Sequence, residues 1–284
     1  MRVALASCSA LPGGAPDDVT LAALLGADVR PWDDPTADWD AYDRVILRST
    51  WDYMDRLDAF LAWCEAVGPR RLRNVPPLVA FATDKRYLAA LAAPTVPTAF
   101  VARGDPLPAL SGEVVVKPNV SAGARDTGRF GERAHDAART LIERIRSGGR
   151  VALVQPYLPS VDACGETGLV YLAGRLSHAL RKRAVLRPDE IAPLADDELG
   201  AAAAMYAQDL VTAGEADAAE RALGEQILAE VAARFGMPLY ARVDLIRSTD
   251  GEPLLLELEA VEPALYLTTA PGSAERFAAA IRAS

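Results

Sequence analysis

Histidine, cysteine and lysine are scarce in this 284-residue chain, and each scarcity removes a class of function. Two histidines, His135 and His178, and three scattered cysteines, Cys8, Cys64 and Cys164, leave no CxxC pair and no spacing for a Cys/His zinc site. The same odd set offers no disulfide framework and fits a reducing compartment, so a cytoplasmic location is expected. No apolar run approaches the ~20 residues of a membrane span, and no membrane partner is expected. Neither the Walker signature GxxxxGK[ST] nor the dinucleotide signature GxGxxG occurs. Positive charge is short too. The formal net charge of −9 argues against a nucleic-acid partner, because non-specific binding rests on phosphate neutralisation by excess Lys and Arg.

What remains is an ordinary folded composition, 51% hydrophobic and 24% charged. The segment LASC, Leu5–Cys8, looks like a lipoprotein cleavage box. Met1 and Arg2 leave no room before it for a charged and then an apolar region, so Val3–Ser7 reads as a buried first strand. Of the 30 basic residues only Lys85, Lys117 and Lys182 are lysines, which singles each of them out.

Residues 1–75 alternate strand and helix: strands at Val3–Ser7, Asp28–Pro31 and Tyr42–Leu47, and a helix at Asp17–Leu25. A second helix carries Leu57, Phe60, Leu61, Cys64 and Val67 at i, i+3, i+4, i+7 spacing. That alternation argues for a parallel sheet in an α/β unit. The Pro-rich Asn74–Pro77 marks a boundary. Residues 76–154 follow, with a helix Asp84–Leu91, a strand Val114–Lys117, a helix near Ala134–Arg146 and a strand Val151–Gln155. Residues 155–284 change character, towards α+β. Leu169–Tyr171 and Leu176–Ala179 read as a hairpin, a helix is expected near Asp197–Tyr206, and Ala218–Phe235 is a clear helix stopped by Gly236 and Pro238. Strands Tyr240–Arg247 and Pro253–Glu259 and a helix near Ser273–Arg282 complete the chain.

The sharpest chemical signal is ARVDLIRSTDGEPLLLELEAVEP. With Asp250-Gly251 as a two-residue turn, Arg242 lies opposite Glu259 and Asp244 opposite Glu257, all on one face. Val243, Leu245, Leu254, Leu256 and Leu258 then form an apolar back. Carboxylates with Cβ atoms ~5 Å apart repel, and a hard, oxygen-seeking cation such as Mg²⁺ reverses that sign. A solvated acidic face neutralised by Arg242 is the plainer alternative. Lys117 ends an apolar strand and is followed by a loop of small residues, Ser121–Gly128, whose backbone N–H groups can approach an anion. Lys182 sits in the basic cluster SHALRKR, suited to phosphate or carboxylate. VQPYLP has the form of a hinge whose backbone can read an adenine edge.

Together these pieces resemble the ATP-grasp ligase superfamily. The likeness is carried by RSTWDY, TDKRYL, VVVKP, VQPYLPSVD, GETGLVYLAGRLSHALRKR and ARVDL, and covers essentially the whole chain. Within the superfamily it is similar to bacterial ligases related to O-ureido-serine cyclo-ligase of cycloserine biosynthesis, and more distantly to glutathione synthetase and D-alanine–D-alanine ligase. The resemblance implies an ATP-grasp fold: a small N-terminal parallel α/β domain (1–75) plus two lobes (76–154 and 155–284) clasping ATP. It further implies ATP and Mg²⁺ as cofactors. Lys85, Lys117, Ser121 and Gly123 would meet the phosphates, Gln155, Tyr157 and Leu158 would frame adenine, and Asp162 would meet the ribose. Asp244, Glu257 and Glu259 would hold the metal, although many relatives have Asn at the position of Glu259. Arg242, Lys117 and Arg183 would act in catalysis. Ser49, Thr50, Asp52, Arg181 and Arg183 would face a small carboxylate and amine substrate. The implied reaction activates the carboxylate as an acyl phosphate for attack by an amine-type nitrogen, within one molecule or between two. The rivals are an ATP-binding regulator without turnover and a phosphotransferase that stops at the acyl phosphate. A homodimer is a family expectation only.

Overall fold

The computed structural model describes residues 1–197 and 199–284. Along the chain, β1 (Val3–Ser7), α1 (Pro16–Leu25), β2 (Asp28–Pro31), β3 (Arg44–Leu47), α2 (Leu57–Val67), β4 (Leu72–Arg73) and α3 (Pro76–Ala82) come first. Next are β5 (Ala99–Val101), β6 (Val114–Pro118), β7 (Gly128–Phe130), α4 (His135–Ser147) and β8 (Ala152–Pro156). Then follow α5 (Ser160–Cys164), β9 (Glu166–Leu172), β10 (Arg175–Lys182), β11 (Glu190–Ile191), β12 (Val211–Gly214), α6 (Ala218–Phe235), β13 (Tyr240–Arg247), β14 (Pro253–Glu259) and α7 (Ser273–Ala283). No described helix is long and apolar enough to cross a membrane.

Three sheets result. The first is parallel, in the order β2-β1-β3-β4. Its central strand VALAS is buried throughout, the continuous pattern of a strand covered on both faces. The second, β11-β7-β6-β8-β5, and the third, β12-β10-β9-β13-β14, are antiparallel in all their strand pairings. Helix α6 covers the third sheet, burying Leu223, Ile227, Leu228 and Val231 against Leu169, Tyr171, Val243, Leu245, Leu255 and Leu258. Asp217 caps it reciprocally with Glu220, in the manner of a capping box. Gly224 lets the helix approach closely, since a Cβ there would lie 2.3 Å from the Tyr171 hydroxyl. Another core joins Val3, Leu5 and Ile46 of the first sheet to Val170, Leu172 and Tyr240 of the third and to Phe277 and Ile281 of α7.

Three local expectations change. The helix expected at Asp84–Leu91 is not an α-helix; the α-helix of this stretch lies before it, at Pro76–Ala82. Pro76-Pro77 open α3, because proline suits the first helical turn. Lys85–Ala89 is only a 3-10 turn, its start tied by Lys85 N–H to Asn119 O at 2.9 Å. The helix expected over Asp197–Tyr206 includes position 198, which lies outside the described residues. Of the rest, only Ala203–Tyr206 is helical, as a 3-10 turn.

The third change lies in the β13–β14 hairpin, which has a wider turn than two residues. Ser248 N–H donates to Glu252 O (2.8 Å), and the Ser248 hydroxyl accepts from the N–H groups of Asp250 and Glu252. A bulge then restores the register: Leu245 pairs with Leu255 but Asp244 with Glu257, which leaves Leu256 extra. Arg242 therefore still lies opposite Glu259. Leu254 and Leu256, expected on the apolar back, move to the other face, and Leu255 takes the back position.

Candidate active site

A cavity of about 710 Å³ has walls drawn from all three sheets and their loops, a volume typical of small-molecule sites. One part is apolar. Val96, Tyr157, Val161 and Ile246 pack there with Val115, Leu158 and Leu256, and the bulged Leu256 reaches the wall because the bulge turns it there. Such a slot suits a flat ring. Gln155 also borders it, but its side chain is engaged with Thr98 Oγ1 at 2.8 Å.

The charged part is built on strand ends. Lys117 ends β6, is 8% exposed, and has no carboxylate within 4 Å among the described residues. Burial lowers its pKa, partly offset by Glu257. Lys85 donates to Ser121 O (2.7 Å) and pairs with Glu257 (3.1 Å). Lys182 pairs with Glu166 (3.1 Å); burial opposes its charge, but Glu166 and then Asp244 outweigh burial and raise its pKa. Arg242 forks onto both oxygens of Asp244 at 2.8 Å, also meets Glu259, and donates to Ala264 O at 2.7 Å. Burial works to raise Glu257, yet Lys85 and Lys117 hold it down at about 2. Glu259 goes the other way, up to about 7, through burial and the nearby Asp244 and Glu257 charges that Arg242 only partly offsets.

Over this region lie two irregular pieces of backbone that are hydrogen-bonded together. The Ser121–Gly128 loop has positive φ at Gly123, Ala124 and Asp126, the kind of backbone that turns N–H groups towards an anion. A strap formed by residues 184–197 and 199–206 contributes Val185, Leu186, Leu199, Ala201, Met205 and Tyr206 to the wall. Ala202 N–H donates to Gly123 O (2.7 Å) and Ala192 N–H to Thr127 O (2.8 Å).

The structure brings Lys85, Lys117, Ser121, Gly123, Gln155, Tyr157, Leu158, Arg242, Glu257 and Glu259 to one cavity. It leaves others off the wall. Arg181 and Arg183 point the wrong way, because side chains alternate along a strand and Lys182 is the inward one. Arg181 binds Thr167 and Glu215 O instead, and Arg183 is exposed. Ser49 and Thr50 are buried in the N-terminal unit, while their neighbours Arg48, Trp51 and Tyr53 form wall. Asp52 is taken by Trp32 Nε1 (2.8 Å) and Arg56 (2.6 Å). Asp162 accepts from the Tyr157 hydroxyl (2.6 Å) and pairs with Arg129, also off the wall. Asp244 sits behind Arg242, 3% exposed, with both oxygens engaged.

Among the described residues no group of three or more metal-ligating side chains gathers; the expected donors left facing the cavity are the Glu257 and Glu259 carboxylates, two residues apart on one face and paired with Lys85 and Arg242, with no histidine or cysteine beside them. That donor chemistry fits Mg²⁺. Asp244 joins them only if the Arg242 fork lets go. Sequence reasoning overlooked Arg48, Trp51, Tyr53 and Tyr266, and made no use of Glu166 or Glu262, all on the wall. The Glu-Pro step at Glu262-Pro263, just beyond the Glu-x-Glu pattern, was the available signal for the last.

Comparison with known proteins agrees in extent with this whole-chain cavity. Residues 3–74 match the family described as D-cycloserine synthetase DcsG, N-terminal domain. The cycloserine biosynthesis protein DcsG of Streptomyces lavendulae is 38% identical over 274 residues, covering 90% of this chain and 88% of that protein. The crystal structure of D-cycloserine synthetase DcsG superimposes with a TM-score of 0.84 at 34% identity, over 99% of this chain and 98% of the other. D-alanine–D-alanine ligase from Bacillus anthracis, complexed with ATP, gives a TM-score of 0.62 at 14% identity, over 100% and 96%, a likeness of fold alone.

Proposed function

This chain belongs to the family of the cycloserine biosynthesis protein DcsG, with an ATP-grasp fold, and from that premise we propose that its cavity activates a small carboxylate as an acyl phosphate. As a member of that family it is an ATP-dependent ligase that forms C–N bonds. In our reading the units 1–75, 76–154 and 155–284 meet around the nucleotide, the last two clasping it. The adenine lies in the apolar slot of Val96, Tyr157, Leu158, Val161, Ile246 and Leu256. The phosphates lie among Lys85, Lys117 and Lys182 beneath the Ser121–Gly128 loop. Glu257 and Glu259 would hold Mg²⁺, which when bound neutralises charge on the phosphate oxygens.

The chemistry then asks alignment of the protein more than covalent work. A carboxylate oxygen attacks the γ-phosphorus, the bond to the ADP oxygen breaks, and an acyl phosphate forms. A nitrogen of the acceptor attacks the carbonyl carbon, loses its proton, and inorganic phosphate leaves. Arg242, fixed by Asp244 and Ala264 O, is placed to stabilise the charge that gathers on the transferred group. The name of one relative, D-cycloserine synthetase, gives a cyclic product, and by analogy we infer that the nitrogen and the activated carboxylate belong to one substrate, so that the reaction closes a ring.

The observation that carries this reading is the convergence of Lys85, Lys117, Lys182 and Arg242 on one cavity with Glu257 and Glu259 among them. Calorimetric titration with a non-hydrolysable ATP analogue, with Mg²⁺ and then with EDTA, tests it. Tight binding that EDTA weakens is expected, and Lys117→Ala should weaken it about tenfold or more, the effect of losing one buried charge-assisted contact. Equal affinity in the variant would remove Lys117 from the phosphate site.

A further inference from the structure

Among the described residues, all but one of the carboxylates on the cavity wall have a nitrogen donor from elsewhere in the chain. Glu257 meets Lys85, Glu259 meets Arg242, and Glu166 meets Lys182. Asp17 accepts from Leu267 N–H at 2.9 Å. Glu262 has none, and Tyr53 shares its stretch of the wall. Lys85 acts on it only through space, being held by Ser121 O and Glu257.

The backbone beneath Glu262 is fixed one carbonyl after another. Asn74 Nδ2 donates to Ala260 O (2.8 Å), and the Tyr240 hydroxyl lies 2.7 Å from Val261 O. Trp51 Nε1 donates to Glu262 O (3.0 Å), Arg48 Nη1 to Pro263 O (3.2 Å) and Arg242 Nη1 to Ala264 O (2.7 Å). Five consecutive carbonyls thus face five side-chain donors, from the ends of β3 and β4 and from β13. The side chain at position 262 is held at the cavity with a rigidity that a mere surface carboxylate does not need.

A preorganised carboxylate in a cavity, flanked by aromatic rings and given no cation of its own, calls for one from a ligand. Lys117 is its counterpart of opposite sign, a cation without a carboxylate partner among the described residues. The wall therefore presents an unpartnered ammonium on β6 and, beside the N-terminal sheet, a carboxyl group that no cation of the described residues pairs. The same short segment touches both ends of the chemistry, since Arg242 holds Ala264 O two residues from Glu262.

We propose that the Glu262 carboxylate, with the Tyr53 hydroxyl beside it, receives the protonated amine of the acid substrate and so selects amino acids over acids that lack an amine. The inference rests on the cavity being the carboxylate-activating site proposed above. Its contact strengthens where water is excluded, as a charge-assisted hydrogen bond. Glu262 is thus a specificity-determining residue, and the transferred phosphoryl group lies with Lys117, Lys182 and Arg242.

D-cycloserine, the product of a relative, carries such an amine on a small ring, and the same ring without the amine is its control. Both are titrated into the protein saturated with ADP and Mg²⁺, for wild type, Glu262→Gln and Tyr53→Phe. ADP binding is read first in the same protein, so failure of the nucleotide reading registers separately. Wild type should prefer the amine-bearing ring. Glu262→Gln should lose about tenfold to a hundredfold in affinity for it, with the des-amino ring and ADP unchanged, and Tyr53→Phe should lose less. Three results overturn the proposal: equal binding of both rings by wild type, no binding of D-cycloserine to ADP-loaded wild type, or an undiminished preference in Glu262→Gln.

Discussion

At the scale of single residues, the cavity carboxylates respond to pH in opposite directions. Glu257 is held at about 2 by Lys85 and Lys117, against burial, so its contribution to stability is present above its ordinary value of 4.5 and disappears as the pH falls towards 2. Glu262 is pushed up to about 8, by burial and then by the charge of Glu259. Folded, it keeps a proton that the unfolded chain releases above 4.5, so its stabilising effect is complete below 4.5 and is lost as the pH rises through about 8. The melting temperature of the ligand-free protein should therefore fall between about pH 5 and about pH 8. In Glu262→Gln the fall should be shallower by a few degrees, with a remainder from Glu259, which is raised to about 7. A pH series of thermal melts on both proteins decides it, and identical slopes would mean that Glu262 is not the raised group.

At the scale of elements, the Ser121–Gly128 loop and the strap are hydrogen-bonded into one cover. Gly123 makes the junction, with φ +59 and no room for a side chain: a Cβ would lie 2.6 Å from Ala201 Cβ and 3.1 Å from Ala201 Cα. Gly123→Val forces a β-branched residue into the left-handed region, at ~1–3 kcal/mol, and pushes the strap away from the loop. Nucleotide affinity should fall about tenfold, and limited proteolysis within residues 185–206 should accelerate. A variant cut no faster and binding equally well would show that the two pieces are independent. This junction was not legible in the sequence, because the strap lacks periodicity and its partner lies some eighty residues away. The hairpin was legible for the opposite reason. Arg242, Asp244, Glu257 and Glu259 lie at alternate positions of two adjacent strands close in sequence, and two errors in its reading, a longer turn and a bulge at Leu256, cancel at the charged pairs. Parity was the weak point on β10: a basic run hides which of Arg181, Lys182 and Arg183 faces inward until the sheet register with β9 is known. RSTWDY failed similarly, since a turn after a strand has no period to say that Trp51 and Tyr53 reach the cavity while Ser49 and Thr50 do not.

At the scale of the whole molecule, the boundary near residue 75 that the Pro-rich passage suggests separates sequence more than it separates packing. Asn74 donates to Tyr240 O and Ala260 O and accepts from Leu239 N–H, all at 2.7–2.8 Å. Phe277 of α7 packs edge-on to Tyr240 of β13 at 5.5 Å, in the core that also holds Val3, Leu5 and Ile46 of the first sheet. Arg48, paired with the buried Asp18 at 2.9 Å, places its guanidinium 5.6 Å from the Phe277 ring. The last helix therefore helps to seat the first sheet, and the Glu262 segment lies in the joint between them. Truncating Phe277 to alanine should remove about 3–5 kcal/mol, as for a buried aromatic. For a chain of this size that corresponds to a fall in melting temperature on the order of 6–15 °C. Because the core is shared, circular dichroism and intrinsic tryptophan fluorescence, which reports on Trp32, Trp39, Trp51 and Trp63 of the N-terminal unit, should shift together in a single transition. If the tryptophan signal kept its wild-type midpoint while the remaining secondary structure melted early, the N-terminal sheet would be a separate cooperative unit. The Trp51 and Arg48 contacts to the Glu262 segment would then be a docking of two units, and amine selection would depend on how often they are docked.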